Sequence, residues 1–331
     1  MSARTSGAPN ATILGVGAYR PRRVVPNSEI VGLIHSSDEW IQTRSGIRSR
    51  RFAEPDETVV AMSVASSRTA LTNAGVTPDQ IDCVVVATVS HLLQTPAAAT
   101  MIAEELGATP AAAFDISAAC AGFCYGVALA SDMIRGGTAA HVLVIGVERL
   151  SDITDPADRS TAFIFADGAG AAVIGPSPEP GIGPVVWGSD GGRYDHIRQV
   201  QPWDTVFASE DKVWPTLRME GNAVFRWASF EMAKVAQRAL DAAGITADEL
   251  DAFIPHQANM RITDAMARTL KLPDRVVIAR DIAEQGNTSA ASVPLAMAAL
   301  IDDGSVKTGD KALLIAFGAG LAYAAQVVTI P

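Results

Sequence analysis

Apolar residues in this chain fall into short, nearly continuous runs. Between them lie longer stretches in which apolar positions recur every three or four residues. The runs ATILGVGAY (11–19), DCVVVAT (82–88), AAAFDI (111–116), HVLVIGV (141–147) and GAAVIG (170–175) predict buried strands. ETVVAMSVASSRTALTNAG (57–75) and TPAAATMIAEELG (95–107) predict helices, as does AGFCYGVALASDMIRGG from about Ala121. Such alternation predicts an α/β fold with mixed, mostly parallel sheets covered by helices.

The pattern then repeats. LTNAGVTPDQIDCVVVATVS (71–90) and LDAAGITADELDAFIPHQAN (240–259) match at an offset of 169: Leu71/Leu240, Ala74/Ala243, Gly75/Gly244, Thr77/Thr246, Asp79/Asp248 and Asp82/Asp251. Each copy reads as a helix end, a Gly cap, a short loop and a buried strand. HVLVIGV also matches KALLIAF (311–317) at an offset of 170. A period this long is not a solenoid. It predicts two α/β halves, 1–178 and 179–331, packed as a five-layer αβαβα body, with the seam near PSPEPGIGP (176–184).

Composition narrows the class. The 331 residues are 48% hydrophobic and 19% charged, enough for two layered cores and without the signature of disorder. The net charge of -10, with no basic tail, argues against general nucleic-acid binding. Three cysteines (Cys83, Cys120, Cys124) do not make a disulfide framework and suit a reducing compartment. The opening MSARTSGAPN lacks a signal-peptide core, and Gly318 and Gly320 break the last apolar runs. The expectation is a soluble, cytoplasmic protein with no membrane partner.

One stretch stands apart: DISAACAGFCYG (115–126) sets Cys120 among small residues at a strand-to-helix turn. Unpaired N–H groups and the helix dipole there favour negative charge, so the expectation is a thiol of lowered pKa with room for a substrate carbonyl. This is the logic of a nucleophile elbow, without its usual string; a packed cysteine on a buried turn is the plainer reading. Cys124, one turn on, reads as filler and Cys83 as core, and no cysteine or histidine has zinc spacing. His35, His91, His141 and His196 sit in ordinary settings, whereas His256 follows the predicted strand DAFIP directly, where α/β proteins place ligand chemistry. Asn287 in QGNTSAASVPLAMAAL precedes a helix and, read alone, is an N-cap. In AFGAGLAY (316–323) a strand ends in Gly318-Ala319-Gly320, whose backbone N–H groups can approach a substrate oxygen.

Together, AACAGF, PHQAN and GNTSAAS resemble the β-ketoacyl-[acyl-carrier-protein] synthase III family, particularly its actinobacterial members. The similarity runs from SSDEWIQTRSGIRSRR (36–51) through DPADRSTAFIFADGAGAAVIG (155–175) to FGAGLAYAAQVV (317–328). The resemblance implies the thiolase fold and a homodimer. It implies that Cys120 accepts an acyl group from acyl-CoA, with His256 and Asn287 completing the set for decarboxylative condensation with malonyl-acyl-carrier protein. Neutral His256 and the Asn287 amide would hold the enolate oxygen. Backbone N–H groups of Cys120 and of Ala319 or Gly320 would hold the oxyanion, each donor contributing roughly 3–4 kcal/mol. No metal or redox cofactor is implied. Asn287 departs from the Cys–His–His set of elongating ketosynthases, and no cysteine follows Cys124 as thiolases require.

The resemblance also implies binding surfaces. Ser36, Trp40, Arg44, Arg159 and Asn222 match CoA-binding positions; read alone, Trp40 packs a helix and Arg159 pairs with Asp155 or Asp158. Thr95, beside Gln94, matches a position where a partner subunit enters the acyl channel, and Phe317 matches an aromatic that shields the site. Arg226 and Arg261 match carrier-protein docking positions; Lys234 and Arg238 lie roughly on the Arg226 side of one predicted helix, and Arg268 shares the Arg261 face of the next, with Lys271 nearby. The starter acyl chain and the pathway stay open: fatty-acid initiation, or starter-unit chemistry for a natural product. A non-catalytic partner subunit is a third reading, which retention of Cys120 disfavours.

Overall fold

The computed structural model describes residues 6–331; the first five residues of the polar opening stretch lie outside them. In chain order the strands are β1 (Asn10–Tyr19), β2 (Arg23–Pro26), β3 (Ser49–Phe52), β4 (Cys83–Ala87), β5 (Ala112–Ile116), β6 (Val142–Arg149), β7 (Asp167–Ser177), β8 (Val186–Gly188), β9 (Ile197–Gln199), β10 (Leu217–Met219), β11 (Ala252–Pro255), β12 (Val277–Ile278), β13 (Lys311–Phe317) and β14 (Tyr323–Thr329). The helices are α1 (Asn27–Ile30), α2 (Asp38–Ser45), α3 (Val59–Ala74), α4 (Ala98–Leu106), α5 (Gly122–Gly136), α6 (Trp203–Ala208), α7 (Gly221–Ala243), α8 (Met260–Thr269), α9 (Ile282–Gln285) and α10 (Ser292–Asp302). Among the described residues no helix is long and apolar enough to cross a membrane.

Two five-stranded sheets carry the fold, in the orders β1-β7-β6-β4-β5 and β8-β14-β13-β11-β12. The orders correspond strand for strand. Helices α3 and α4 cover the outer face of the first sheet, α5 and α10 fill the space between the sheets, and α7 and α8 cover the second. The five-layer expectation is met.

The sheets are mixed, but half rather than most of the pairings are parallel. β4 runs parallel to β5 and β6, and β11 to β12 and β13; β7 and β14 run antiparallel to both of their neighbours. Helices lie on both faces of each sheet, so an antiparallel strand such as β7 is as apolar as a parallel one. An apolar run therefore does not report strand direction here.

The repeated junctions show why the halves fold alike. Gly75 and Gly244 end α3 and α7 in left-handed conformation (φ 63° and 69°), which costs glycine nothing. A capping box follows each: the Gln80 side chain accepts from the Thr77 N–H at 2.9 Å, and Glu249 from the Thr246 N–H at 2.9 Å. β4 and β11 then enter their sheets as interior strands, one in from the edge. The correspondence extends to the turns before the two central helices. Residues 119–121 precede α5 and residues 289–291 precede α10, and Ala119 and Ser289 are both left-handed (φ 45° and 48°). That conformation is costly without glycine and marks sites held by their surroundings.

Candidate active site

Cys120 lies on the 119–121 turn between β5 and α5, as the strand-to-helix reading predicts. It is 9% exposed and reaches the wall of a cavity of about 1210 Å³. His256 and Asn287 reach the same wall, so residues far apart in sequence meet at one place.

The expectation of a lowered thiol pKa is overturned. Burial pushes the Cys120 thiol up to about 12, and the nearby Glu148 carboxylate adds to the rise. A hydrogen bond with the Ser289 hydroxyl and the residue's own N–H pull the other way and lose. The helix-end argument places the residue correctly, but desolvation sets the direction of the shift. Cys120 rests as a thiol.

Gly318 makes room for this sulfur. A Cβ there would sit 2.7 Å from the Cys120 nitrogen and 3.0 Å from Sγ. Gly318→Ala is expected to displace the thiol and slow acyl uptake ~100-fold, since roughly 1 Å of misplacement costs that much. Acyl uptake read by intact mass, beside a melting curve to confirm folding, checks this; wild-type uptake would refute it.

His256 continues from the end of β11, its N–H bonded to the Ile315 carbonyl at 2.7 Å. Burial drives its pKa down to about 3, so the ring is neutral at any physiological pH. Its tautomer follows from its neighbours. The Ser292 Oγ accepts from the Gln257 N–H at 3.2 Å and lies 2.7 Å from His256 Nδ1. Among the described residues the Ser292 hydroxyl has no other acceptor, so its proton goes to Nδ1, which leaves Nε2 carrying the proton as a donor. Phe317, 2% exposed, stands edge-on to the imidazole with ring centres 5.4 Å apart and lines the cavity.

Asn287 fulfils the capping expectation in a modified form. Its Oδ1 accepts from the Ser289 N–H at 2.8 Å, while its own backbone bonds to Ile164 and Ala166 at 2.9 Å each. Fixing the oxygen this way frees the amide NH₂ to donate into the cavity. The chain thus presents two neutral donors beside a thiol.

At the 318–320 turn, the Gly318 N–H is already spent on the Ala322 carbonyl (2.9 Å). Ala319 lines the cavity; Gly320 does not, and instead takes the left-handed conformation (φ 71°) that the turn requires. Farther out, Trp40, Arg44, Arg159 and Asn222 line the cavity. The guanidinium of Arg159 stacks over Trp40 at 4.9 Å and that of Arg44 lies 5.7 Å from it. Among the described residues Arg159 has no ion pair; Asp158 instead accepts from Ser160 and Thr161. Ser36 and Thr95 are not on the cavity wall: the Ser36 hydroxyl is buried without a partner, and Thr95 is exposed. Arg226 lies off this wall too, beside a second groove that it shares with Arg261 and Arg268.

Sequence reasoning passed over Ser289, Ser292 and Glu148. The two serines lie in the quoted GNTSAAS and Glu148 in a stretch of ordinary charge; only three-dimensional contact distinguishes them.

Five layers, duplicated halves and two matching five-stranded sheets define a protein of the thiolase fold. The chain belongs to the 3-oxoacyl-[acyl-carrier-protein] synthase III family: that family's sequence models match residues 114–191 and, for its C-terminal part, 240–330. It is 60% identical to the beta-ketoacyl-[acyl-carrier-protein] synthase III of Streptomyces glaucescens, covering 98% of each chain. It is 55% identical to the mycobacterial beta-ketoacyl-[acyl-carrier-protein] synthase III of Mycolicibacterium paratuberculosis, covering 99% of this chain and 98% of that one. Among solved structures, the priming beta-ketosynthase of the R1128 polyketide pathway superposes with a TM-score of 0.97 at 50% identity, covering 100% and 99% of the two chains. The Aquifex aeolicus 3-oxoacyl-[acyl-carrier-protein] synthase III gives 0.89 at 36% identity, covering 96% and 99%.

Proposed function

We propose that this chain condenses an acyl-CoA starter with malonyl-acyl-carrier protein through an acyl-Cys120 intermediate, releasing CO₂ and a β-ketoacyl-carrier protein that initiates fatty-acid synthesis. The observation that carries the reading is the meeting of Cys120, His256 and Asn287 on one cavity, with the His256 Nε2–H and the Asn287 amide as neutral donors. Cys120 attacks the thioester carbonyl and CoA leaves. Malonyl-carrier protein then loses CO₂, and the two donors hold the enolate oxygen without protonating the carbanion. The carbanion attacks acyl-Cys120, with the N–H groups of Cys120 and Ala319 on the oxyanion. The Trp40–Arg159 stack suits the adenine of CoA. The substrates bring all the chemistry, so the reading calls for no metal or redox cofactor. The experiment is direct: acyl-CoA and malonyl-carrier protein are mixed with the protein, and the carrier protein is weighed. A β-ketoacyl adduct supports the reading; unchanged malonyl-carrier protein refutes it.

The R1128 neighbour supports a second reading, starter-unit condensation for a natural product, which uses the same chemistry. The 60% identical Streptomyces protein favours fatty-acid initiation.

The carrier protein is acidic and so is this chain, so docking requires local positive charge. A groove of about 540 Å³ between α7 and α8 supplies it through Arg226, Arg261 and Arg268, with Phe230 70% exposed on its rim. Arg261 stacks on Phe225 at 4.8 Å, and both also line the main cavity, which joins groove to thiol. Lys234 is tied to Glu231 at 2.9 Å and contributes less. Arg226→Glu is expected to lower kcat/KM for malonyl-carrier protein about tenfold, with the loss shrinking as salt is added. A salt-independent kcat/KM equal to that of the wild type would move docking elsewhere. A cytoplasmic homodimer belongs to the same reading: β5 is an edge strand with one partner, and Leu92 and Leu93 nearby are about half exposed.

A further inference from the structure

Cys120 rests as a buried thiol, yet a thioester is attacked by a thiolate, so its proton must have somewhere to go. His256 is a poor destination: Nδ1 already receives the Ser292 proton and Nε2 carries its own. Near the sulfur lies a group the mechanism above does not use. Glu148, near the end of β6, is fully buried and has no ion-pair partner among the described residues.

The carboxylate is held at one end and open at the other. Its Oε2 accepts three hydrogen bonds, from Ser90 Oγ (2.5 Å), the Val89 N–H (3.1 Å) and Thr88 Oγ1 (3.2 Å). Its Oε1 accepts one, from Ser289 Oγ at 3.0 Å. A serine hydroxyl has a single proton. With that proton directed at Oε1, Ser289 keeps its lone pairs free on the cavity wall that it shares with Cys120, where they can accept once the thiol proton turns toward them. Gly146 makes the alignment possible. A Cβ there would lie 2.2 Å from the Ala290 carbonyl, so only glycine lets the 289–291 turn rest on β6. The result is one hydroxyl bonded to the carboxylate and placed on the same wall as the thiol.

We propose that Glu148 takes up the Cys120 proton through Ser289 as the sulfur attacks the acyl thioester, and returns it when condensation expels the sulfur. The step rests on the acyl-cysteine reading above. In acylation the Sγ–H bond breaks and Ser289 Oγ takes that proton while passing its own to Glu148 Oε1. Sγ forms a bond to the acyl carbon, and the CoA sulfur leaves with the electron pair of the broken C–S bond and is protonated by water. In condensation the tetrahedral intermediate collapses, Sγ leaves with its electron pair, and the proton on Glu148 returns through Ser289. Glu148 is neutral in between, so no buried anion opposes the malonyl carboxylate as it arrives.

The setting suits a proton acceptor. Burial pushes the Glu148 carboxyl up to about 7, where it exchanges protons near neutrality. The groups around it are few. The stretch after β4 presents the Thr88 and Ser90 hydroxyls, β7 presents Gly168 in register, the 289–291 turn presents Ser289, and the 119–121 turn presents the Cys120 thiol, a titratable neighbour.

The test is the pH dependence of Cys120 alkylation by iodoacetamide, localised by fragment mass, in the wild type, Glu148→Gln and Ser289→Ala. The wild type should gain reactivity through a limb near neutral pH. Both variants should lose that limb, react ~100-fold more slowly at neutral pH, and recover only as hydroxide takes over at high pH. Single-turnover acylation by acyl-CoA should fall by the same factor without a matching change in its KM. A merely structural Glu148 would lower the melting temperature and leave the limb in place. If Glu148→Gln does not fold, Ser289→Ala removes one oxygen, leaves three hydrogen bonds on Glu148, and carries the test alone. Retention of the wild-type limb in a folded variant overturns the relay. Alkylation needs no CoA, so a wild type that shows the limb but is never acylated would refute the acyl-cysteine reading and leave the relay standing.

Discussion

Cys120→Ala is expected to abolish acyl uptake and condensation together, lowering turnover by about 10⁴-fold or more. The magnitude follows from the absence of a substitute among the described residues. Cys124 is fully buried one helical turn further on in α5, off the cavity wall, where its carbonyl accepts from Gln326 at 3.3 Å. Cys83 opens β4, also buried and off the wall. Neither reaches the space that holds His256 and Asn287. Alanine keeps the small volume of the turn, so the variant should fold and still bind CoA. Steady-state condensation and intact mass check both halves; acyl uptake by the variant would place the nucleophile elsewhere.

The second large effect separates the half-reactions. His256→Ala or Asn287→Ala should still take up acyl groups at Cys120 but condense ~10²- to 10³-fold more slowly, the cost of one donor on a developing oxyanion. The division follows from where the protons sit. Neither His256 Nε2 nor the Asn287 NH₂ is a base, so neither is needed to activate the thiol. Both point donors at the space where malonyl decarboxylation builds negative charge. Losses in the double variant should fall short of the product of the single ones, because the two donors serve one oxygen. Separate assays of acyl uptake and CO₂ release decide the matter. An equal loss of both halves in Asn287→Ala would undo the division.

Much of this was legible in the sequence because the relevant rules are local. The Gly75 and Gly244 caps, the Thr-led turns and the central strands each obey short-range physics, so the duplication appeared as a fixed offset. The placement of Cys120 between β5 and α5 came from the same kind of reasoning. What escaped it depends on packing. The thiol's raised pKa comes from burial, which depends on how the layers pack and is not readable from sequence. The His256 tautomer depends on Ser292, 36 positions away, and the Glu148–Ser289 contact spans 141. Strand direction was misjudged because β7 and β14 are covered on both faces and read as parallel strands do. Ser36 and Thr95 matched a pattern of types but lie off the single-chain cavity.

The most direct test of the central claim is the intact mass of the protein after mixing with acetyl-, isobutyryl-, hexanoyl- and lauroyl-CoA, followed by mapping of the modified peptide. The account predicts one acyl group, on Cys120, with a mass that names the preferred starter. No adduct from any of the four, or an adduct on another residue, would contradict it.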